Sequence, residues 1–164
     1  MKKKRNFLLL ILAVLFIGLF ASSTSVSAFS LPKLQNAESG QIVQRGRYYY
    51  YRYTDKTYAR NQYLRINKRL CYFNKSGKRW HGFHKVNGKK YYFGEENDGA
   101  MKTYWQQIDG KWYFFGNDGV MRTYWQKIWG KWYFLGNASD GAMKTGWQKI
   151  WGKWYYLGFA EDGS

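Results

Sequence analysis

The chain of 164 residues has one cysteine, Cys71, one proline, Pro32, and two histidines, His81 and His84. A lone cysteine excludes an internal disulfide framework, and buried small-hydrophobe behaviour is the ordinary fate of such a side chain. His81 and His84 occur once, with no second pair at ligand spacing, so they are read as surface residues and no metal centre is expected. Acidic residues are also scarce, ten against 27 Lys and Arg, for a formal net charge of +17. That balance favours polyanionic partners by long-range attraction.

Long apolar runs are missing too, apart from residues 7–20. This stretch follows Lys2, Lys3, Lys4 and Arg5 and leads to Val26, Ser27 and Ala28, the three parts of a secretory signal peptide. Its 14 residues fall short of the roughly 18 that a spanning helix needs. Cleavage after Ala28 is expected, so contact with the membrane is confined to the signal before its removal. The mature chain would then keep 23 basic and 10 acidic side chains, a net +13. Residues 29–40 hold Pro32 and no periodic apolar pattern, which reads as a flexible leader.

Aromatic residues, by contrast, are abundant and repeat in register. WQQIDGKWYFFGNDGVMRTY is followed by WQKIWGKWYFLGNASDGAMKTG and then by WQKIWGKWYYLG, with the first Trp of each copy at Trp105, Trp125 and Trp147. The spacings of 20 and 22 residues signal a stacked-repeat architecture. Shifting the chain by 42 residues lays Gly46 on Gly88, Tyr63 on Trp105 and Tyr72 on Phe114. Repeats are therefore expected to start near residues 41, 62, 83, 105, 125 and 147. Residues 41–82 form degenerate copies and residues 83–164 the better preserved ones, the third carrying Phe83 and Lys90 where later copies have Trp.

Within a copy, two short aromatic and branched runs flank Asp109-Gly110, a hairpin signal because primed turns need positive φ at both positions. The predicted fold is all-β, a solenoid of stacked hairpins. In the next copies the turn reads Trp129-Gly130 and Trp151-Gly152. Trp is a poor turn residue, so the ring has a packing or binding role. Gly99, Gly119, Gly141 and Gly163 recur in a second turn after each hairpin. Strand alternation puts Trp112 with Phe114 on one face and Tyr113 with Phe115 on the other.

The pattern W-x-x-I-x-G-K-W-Y, then D-G-x-M-x-T and another Trp, resembles the cell-wall-binding repeats of Gram-positive bacteria, including choline-binding and glucan-binding proteins. The likeness is close over residues 85–163 and looser over 41–84. It implies hairpins with ligand sites between successive repeats, each an aromatic cage of two Trp, an aromatic of the next copy and a Met. Carried over, a first cage would use Trp105, Trp112, Met121 and Phe134, and a second Trp125, Trp132, Met143 and Tyr156. Trp147 and Trp154 would begin a third, completed by a partner chain in a homodimer through the C-terminal repeat or left open. Tyr104 and Tyr124 stand where the family commonly has Gly, as at Gly146.

Trp rings suit a quaternary ammonium, whose diffuse charge is held by ring quadrupoles at about 0.5–2 kcal/mol per contact. They also stack on sugars, and Gln106, Gln126 and Gln148 stand next to them as candidate donors to hydroxyls. The residues leave choline-bearing teichoic acid and glucan both open as ligands. Binding to a nucleic acid through basic and aromatic side chains is a third class, disfavoured by the signal peptide. No catalytic arrangement or cofactor motif stands out. Asp98, Asp118, Asp140 and Asp162 each precede Gly in a turn, where a carboxylate serves the backbone. The sequence thus describes a secreted, wall-associated, non-enzymatic binding protein.

Overall fold

A computed structural model of the chain describes residues 35–37 and 39–158. The signal peptide, most of the expected leader, and Asp162 and Gly163 lie outside the described residues. Every described element is a strand. Strand β1 covers Gln35–Asn36, and six antiparallel hairpins follow. They are β2 (Gly40–Arg45) with β3 (Tyr48–Tyr53), β4 (Gln62–Ile66) with β5 (Arg69–Phe73), and β6 (Phe83–Val86) with β7 (Lys89–Tyr92). Then come β8 (Tyr104–Ile108) with β9 (Lys111–Phe115), β10 (Trp125–Ile128) with β11 (Lys131–Phe134), and β12 (Gly146–Ile150) with β13 (Lys153–Leu157). β1 runs parallel to β4, pairing Gln35 with Leu64 and Asn36 with Arg65. Two residues of the stretch read as a leader thus supply a strand, because the outer edge of β4 is open to pairing.

Each of the last four hairpins closes on two residues with positive φ. Asn87 and Gly88 have φ of 48° and 77°, Asp109 and Gly110 of 50° and 73°. Trp129 and Trp151 both have φ of 48°, a conformation that a non-glycine side chain adopts at a cost of order 1–3 kcal/mol. The first hairpin differs by one residue from the expected alignment. Arg45 pairs with Tyr48 and Val86 with Lys89, so Gly46 corresponds to Asn87 and not to Gly88.

The hairpins are two-stranded sheets, too small to stand alone in water. Their stability comes from burying one face of each against its neighbours. Phe73, Phe93, Phe115 and Leu135 end the second strands of successive copies and are almost completely enclosed. Ile108, Ile128 and Ile150, just before the turns, are buried as well. Cys71 lies among Tyr51, Ala59, Leu64, Phe73 and Ala100, and burial pushes its thiol pKa up.

The connection leaving one hairpin reaches back to the hairpin before it. The Met101 amide donates to the Leu70 carbonyl at 2.7 Å, Met121 to Lys90 at 2.8 Å, and Met143 to Trp112 at 2.7 Å. Glycine is required at the second turn because a Cβ on Gly141 would lie 2.4 Å from Met121 Cε, and one on Gly119 2.6 Å from Met101 Sδ. The turn carboxylates have local partners. Asp118 accepts from the Val120 amide at 3.0 Å and pairs with Arg122 at 3.0 Å, and Asp140 pairs with Lys144. Asp98 is held by Lys102 at 2.6 Å and by Arg69.

Candidate functional site

Register decides which rings meet. In the hairpin β8–β9, Trp105 is opposite Phe114 and Gln107 is opposite Trp112, so these four share one face. Gln106, Ile108 and Tyr113 take the other, where Ile108 and Tyr113 are buried. The Trp105 and Trp112 rings lie 6.4 Å apart between centroids and nearly perpendicular, at 85°. A corner of two indoles is thus left half open to solvent.

Tyr133 of the next hairpin closes it. Its ring lies 4.9 Å from Trp105, at 66°. The arrangement recurs one repeat on, where Tyr155 lies 5.2 Å from Trp125, at 65°. Trp132 shares the outer face with Trp125, as Trp112 does with Trp105. These groups correct the expected membership of both cages. Phe134, proposed for the first, stands opposite Trp125 on its own hairpin at 5.3 Å, and Tyr156, proposed for the second, stands at 5.3 Å from Trp147. The cause is the pleat: only the face that carries Tyr133 and Tyr155 is turned toward the preceding repeat.

The methionines shift in the same way. Met121 is buried with Tyr92, Ile108, Tyr113, Phe115 and Ala142, and its backbone joins the hairpin that carries Phe83 and Lys90. Met143 is the one bonded through its backbone to Trp112, so it belongs with the first group and not with the second. That connection over Trp112 also explains a gradient in exposure. Trp112 is half-buried, whereas Trp132 and Trp154 are 61% and 63% exposed.

In the third copy the same positions hold Phe83, Lys90 and Tyr113. Tyr113 meets Phe83 at 5.4 Å, as Tyr133 meets Trp105. Lys90 replaces the second Trp, and its ammonium donates to the Ser139 carbonyl at 2.9 Å. Further back, Tyr63, Tyr72, Trp80, Tyr91, Phe93 and Met101 collapse into a packed cluster. Burial, and then Tyr72 and Tyr91, push the Tyr63 phenol up to about 12. His84 is no surface residue: its ring stacks on Trp80 at 4.1 Å and 6°, its Nε2 lies 2.9 Å from the His81 carbonyl, and burial lowers its pKa.

Gln106, Gln126 and Gln148 are not sugar-binding groups here. Each side-chain amide donates to the carbonyl of Thr103, Thr123 or Thr145, at 2.9, 2.8 and 2.8 Å, and so fastens the entry of its own hairpin. Tyr104 and Tyr124 have φ of 60° and 59°, the same left-handed backbone as Gly82 and Gly146. The family position that favours Gly therefore keeps its conformation while bearing a ring. Sequence reasoning did not give those two rings a role.

Two family models fit this chain. Residues 102–145 match the choline-binding repeat, and residues 81–101 and 145–163 match the cell wall binding repeat. The chain belongs to this family of choline- and cell-wall-binding repeats. Among solved structures, it is similar to choline binding protein F of Streptococcus pneumoniae, at 34% identity over 74% of this chain and 40% of that one, with a TM-score of 0.64. It is also similar to CbpJ of Streptococcus pneumoniae, at 27% identity over 78% of this chain and 46% of that one, TM-score 0.65. The pneumococcal cell wall endolysin of phage Cp-1, solved with choline, matches at 25% identity over 74% of this chain and 36% of its own, TM-score 0.56. The chain thus spans less than half the length of these proteins. No curated protein sequence matches it. As a member of the repeat family, the chain combines preserved copies from Phe83 onward with copies whose aromatic corners are filled by its own side chains.

Proposed function

We propose that this chain is a secreted, non-enzymatic cell-wall-binding protein that holds the choline head groups of teichoic acid on a Gram-positive envelope. The observation that carries the reading is the convergence of Trp105, Trp112 and Tyr133 between two successive hairpins, repeated by Trp125, Trp132 and Tyr155. Rings meeting at steep angles present several negative faces to one point, which suits a cation that has no hydrogen to donate. The endolysin of phage Cp-1 has been solved with choline, and choline binding protein F with a peptidoglycan analogue. Both support a wall ligand.

A bare cation is repelled by a chain of net charge +17. Teichoic acid removes the conflict, since its phosphates attract the lysines while the rings hold the ammonium groups. Two adjacent weak sites on a repeating polymer combine through effective concentration, gaining about 10² to 10⁴ over one. The turn carboxylates of Asp98, Asp118 and Asp140 are engaged by Lys102, Arg122 and Lys144, which supports binding without chemistry.

Titration of the mature protein with choline and with a soluble α-glucan, followed by tryptophan fluorescence at low and physiological salt, tests the reading. A saturable choline response that survives salt is expected. Silence to choline at both salts would overturn it.

A further inference from the structure

Beyond the cages, two further groups of rings stand between successive hairpins. Trp129, in the turn of β10–β11, reaches back to Tyr104 at 6.3 Å and to Phe114 at 6.1 Å. One repeat later, Trp151 reaches Tyr124 at 6.3 Å and Phe134 at 6.5 Å. The interplanar angles agree closely: 36° and 30° for the Tyr–Trp pairs, 89° and 88° for the Phe–Trp pairs. Two independent copies of one geometry point to a built arrangement.

Its residues occur together. Where the backbone enters a hairpin with positive φ, the chain has Asn61, Gly82, Tyr104 and Tyr124, and the turns that follow one hairpin later start with Asn87, Asp109, Trp129 and Trp151. Small residues therefore precede small turn residues, and each Tyr precedes a Trp. Both aromatic positions have a backbone that disfavours a large side chain, so a backbone requirement does not explain them. Core packing does not explain them either, because Trp129 and Trp151 are each 74% exposed.

We infer that Tyr104, Phe114 and Trp129, and again Tyr124, Phe134 and Trp151, form a second class of site, a pair of open aromatic platforms for the apolar face of a saccharide ring. The ring spacing of 6.3 Å is too narrow to admit a ligand between two faces, each of which needs about 3.5–4 Å. The ligand lies on the exposed indole, with the phenol at its rim. An open face lacks the several walls that hold a quaternary ammonium, whereas a pyranose presents a flat row of C–H groups and keeps its hydroxyls in water. Charge agrees with this choice: Lys127 and Lys131 flank Trp129, and Lys149 and Lys153 flank Trp151. A neutral or anionic sugar is compatible with those neighbours and a free cation is not. Phe114 borders both site types, lying 5.2 Å from Trp105 and 6.1 Å from Trp129. The chain would then grip the sugar of a wall polymer beside the head group that the cage holds.

The test uses the full mature chain and a double variant, Trp129→Asp with Trp151→Asn. These substitutions restore the residue types found at Asp109 and Asn87, which have the same turn conformation with φ of 50° and 48°. Calorimetric titration is made with an N-acetylglucosamine tetramer, with a dextran oligosaccharide and with choline chloride, alongside thermal melting. At least one saccharide should bind the unaltered chain in the millimolar range, and the variant should lose tenfold or more of that affinity. Its choline isotherm should stay within twofold and its melting midpoint should not fall. The two saccharides decide between an amino-sugar glycan and an α-glucan. Retained saccharide binding by the variant, no binding of either saccharide to the unaltered chain, or a large fall in melting midpoint would each overturn the platform. A missing choline response in the unaltered chain would sink the cages and leave this inference standing.

Discussion

The ammonium of Lys90 lies 5.6 Å from the centre of the Phe83 ring. Phe83 and Lys90 hold the places that Trp105 and Trp112 hold one repeat later, so the third copy has its own side-chain cation over its aromatic wall. The cationic side chain both supplies the charge that such rings attract and removes the second indole wall.

Replacement of Lys90 by Trp should therefore open a third site. Calorimetric titration of Lys90→Trp with choline is expected to give one more equivalent than the parent chain. An unchanged stoichiometry would show that Phe83 and Tyr113 cannot serve as the remaining walls.

Tyr133 and Phe134 separate the two possible registers of the first cage. Tyr133→Ala removes the ring at 4.9 Å from Trp105 and should weaken choline by about 2- to 30-fold, the equivalent of about 0.5–2 kcal/mol for one cation–ring contact. Phe134→Ala leaves that wall in place and should cost the first cage less. The comparison is best made by equilibrium titration, with the second cage disabled by Trp132→Ala in both backgrounds.

Retention on cell walls should depend on rings more than on single charges. Trp132→Ala removes a cage wall, whereas Lys127→Ala removes one exposed, screened charge. At physiological salt the Trp variant should elute from purified walls earlier than the Lys variant. Equal losses would assign retention to charge.

Phe115 has no solvent exposure and lies between Tyr92 and Met121 in the repeat core. Phe115→Ala should destabilise the stack by about 3–5 kcal/mol, read as a lower denaturant midpoint. Loss of cohesion there should also weaken choline binding at the neighbouring cage, because its two hairpins are held together by that core.

Alkaline stability should follow the buried phenols. The Tyr63 pKa is raised from 10.0 to about 12, chiefly by burial. The unfolded chain gives up this proton first, so stability is fully present below pH about 10 and is lost as pH rises toward about 12. Tyr63→Phe removes this contribution, and its denaturant midpoint should fall less between pH 9 and pH 11 than that of the parent chain.

Much of this protein was legible without coordinates. The period of 20 to 22 residues, the Asp109-Gly110 turn and the alternation of Trp112 with Tyr113 are local signals, and a hairpin is a local structure. Those features determined an all-β stack and which face of each strand bears the indoles. The alternation even held the information that Phe134 shares a face with Trp132, away from the preceding repeat. What the tertiary structure alone decided is which rings from different copies converge. Tyr133 and not Phe134 meets Trp105, Met143 and not Met121 lies with Trp112, and Trp129 reaches Tyr104. Those pairings depend on how one hairpin is rotated on the next, an angle set by burial of Ile108, Tyr113 and Phe115 together across repeats. No single copy of the motif encodes that angle, because no single copy buries its own face.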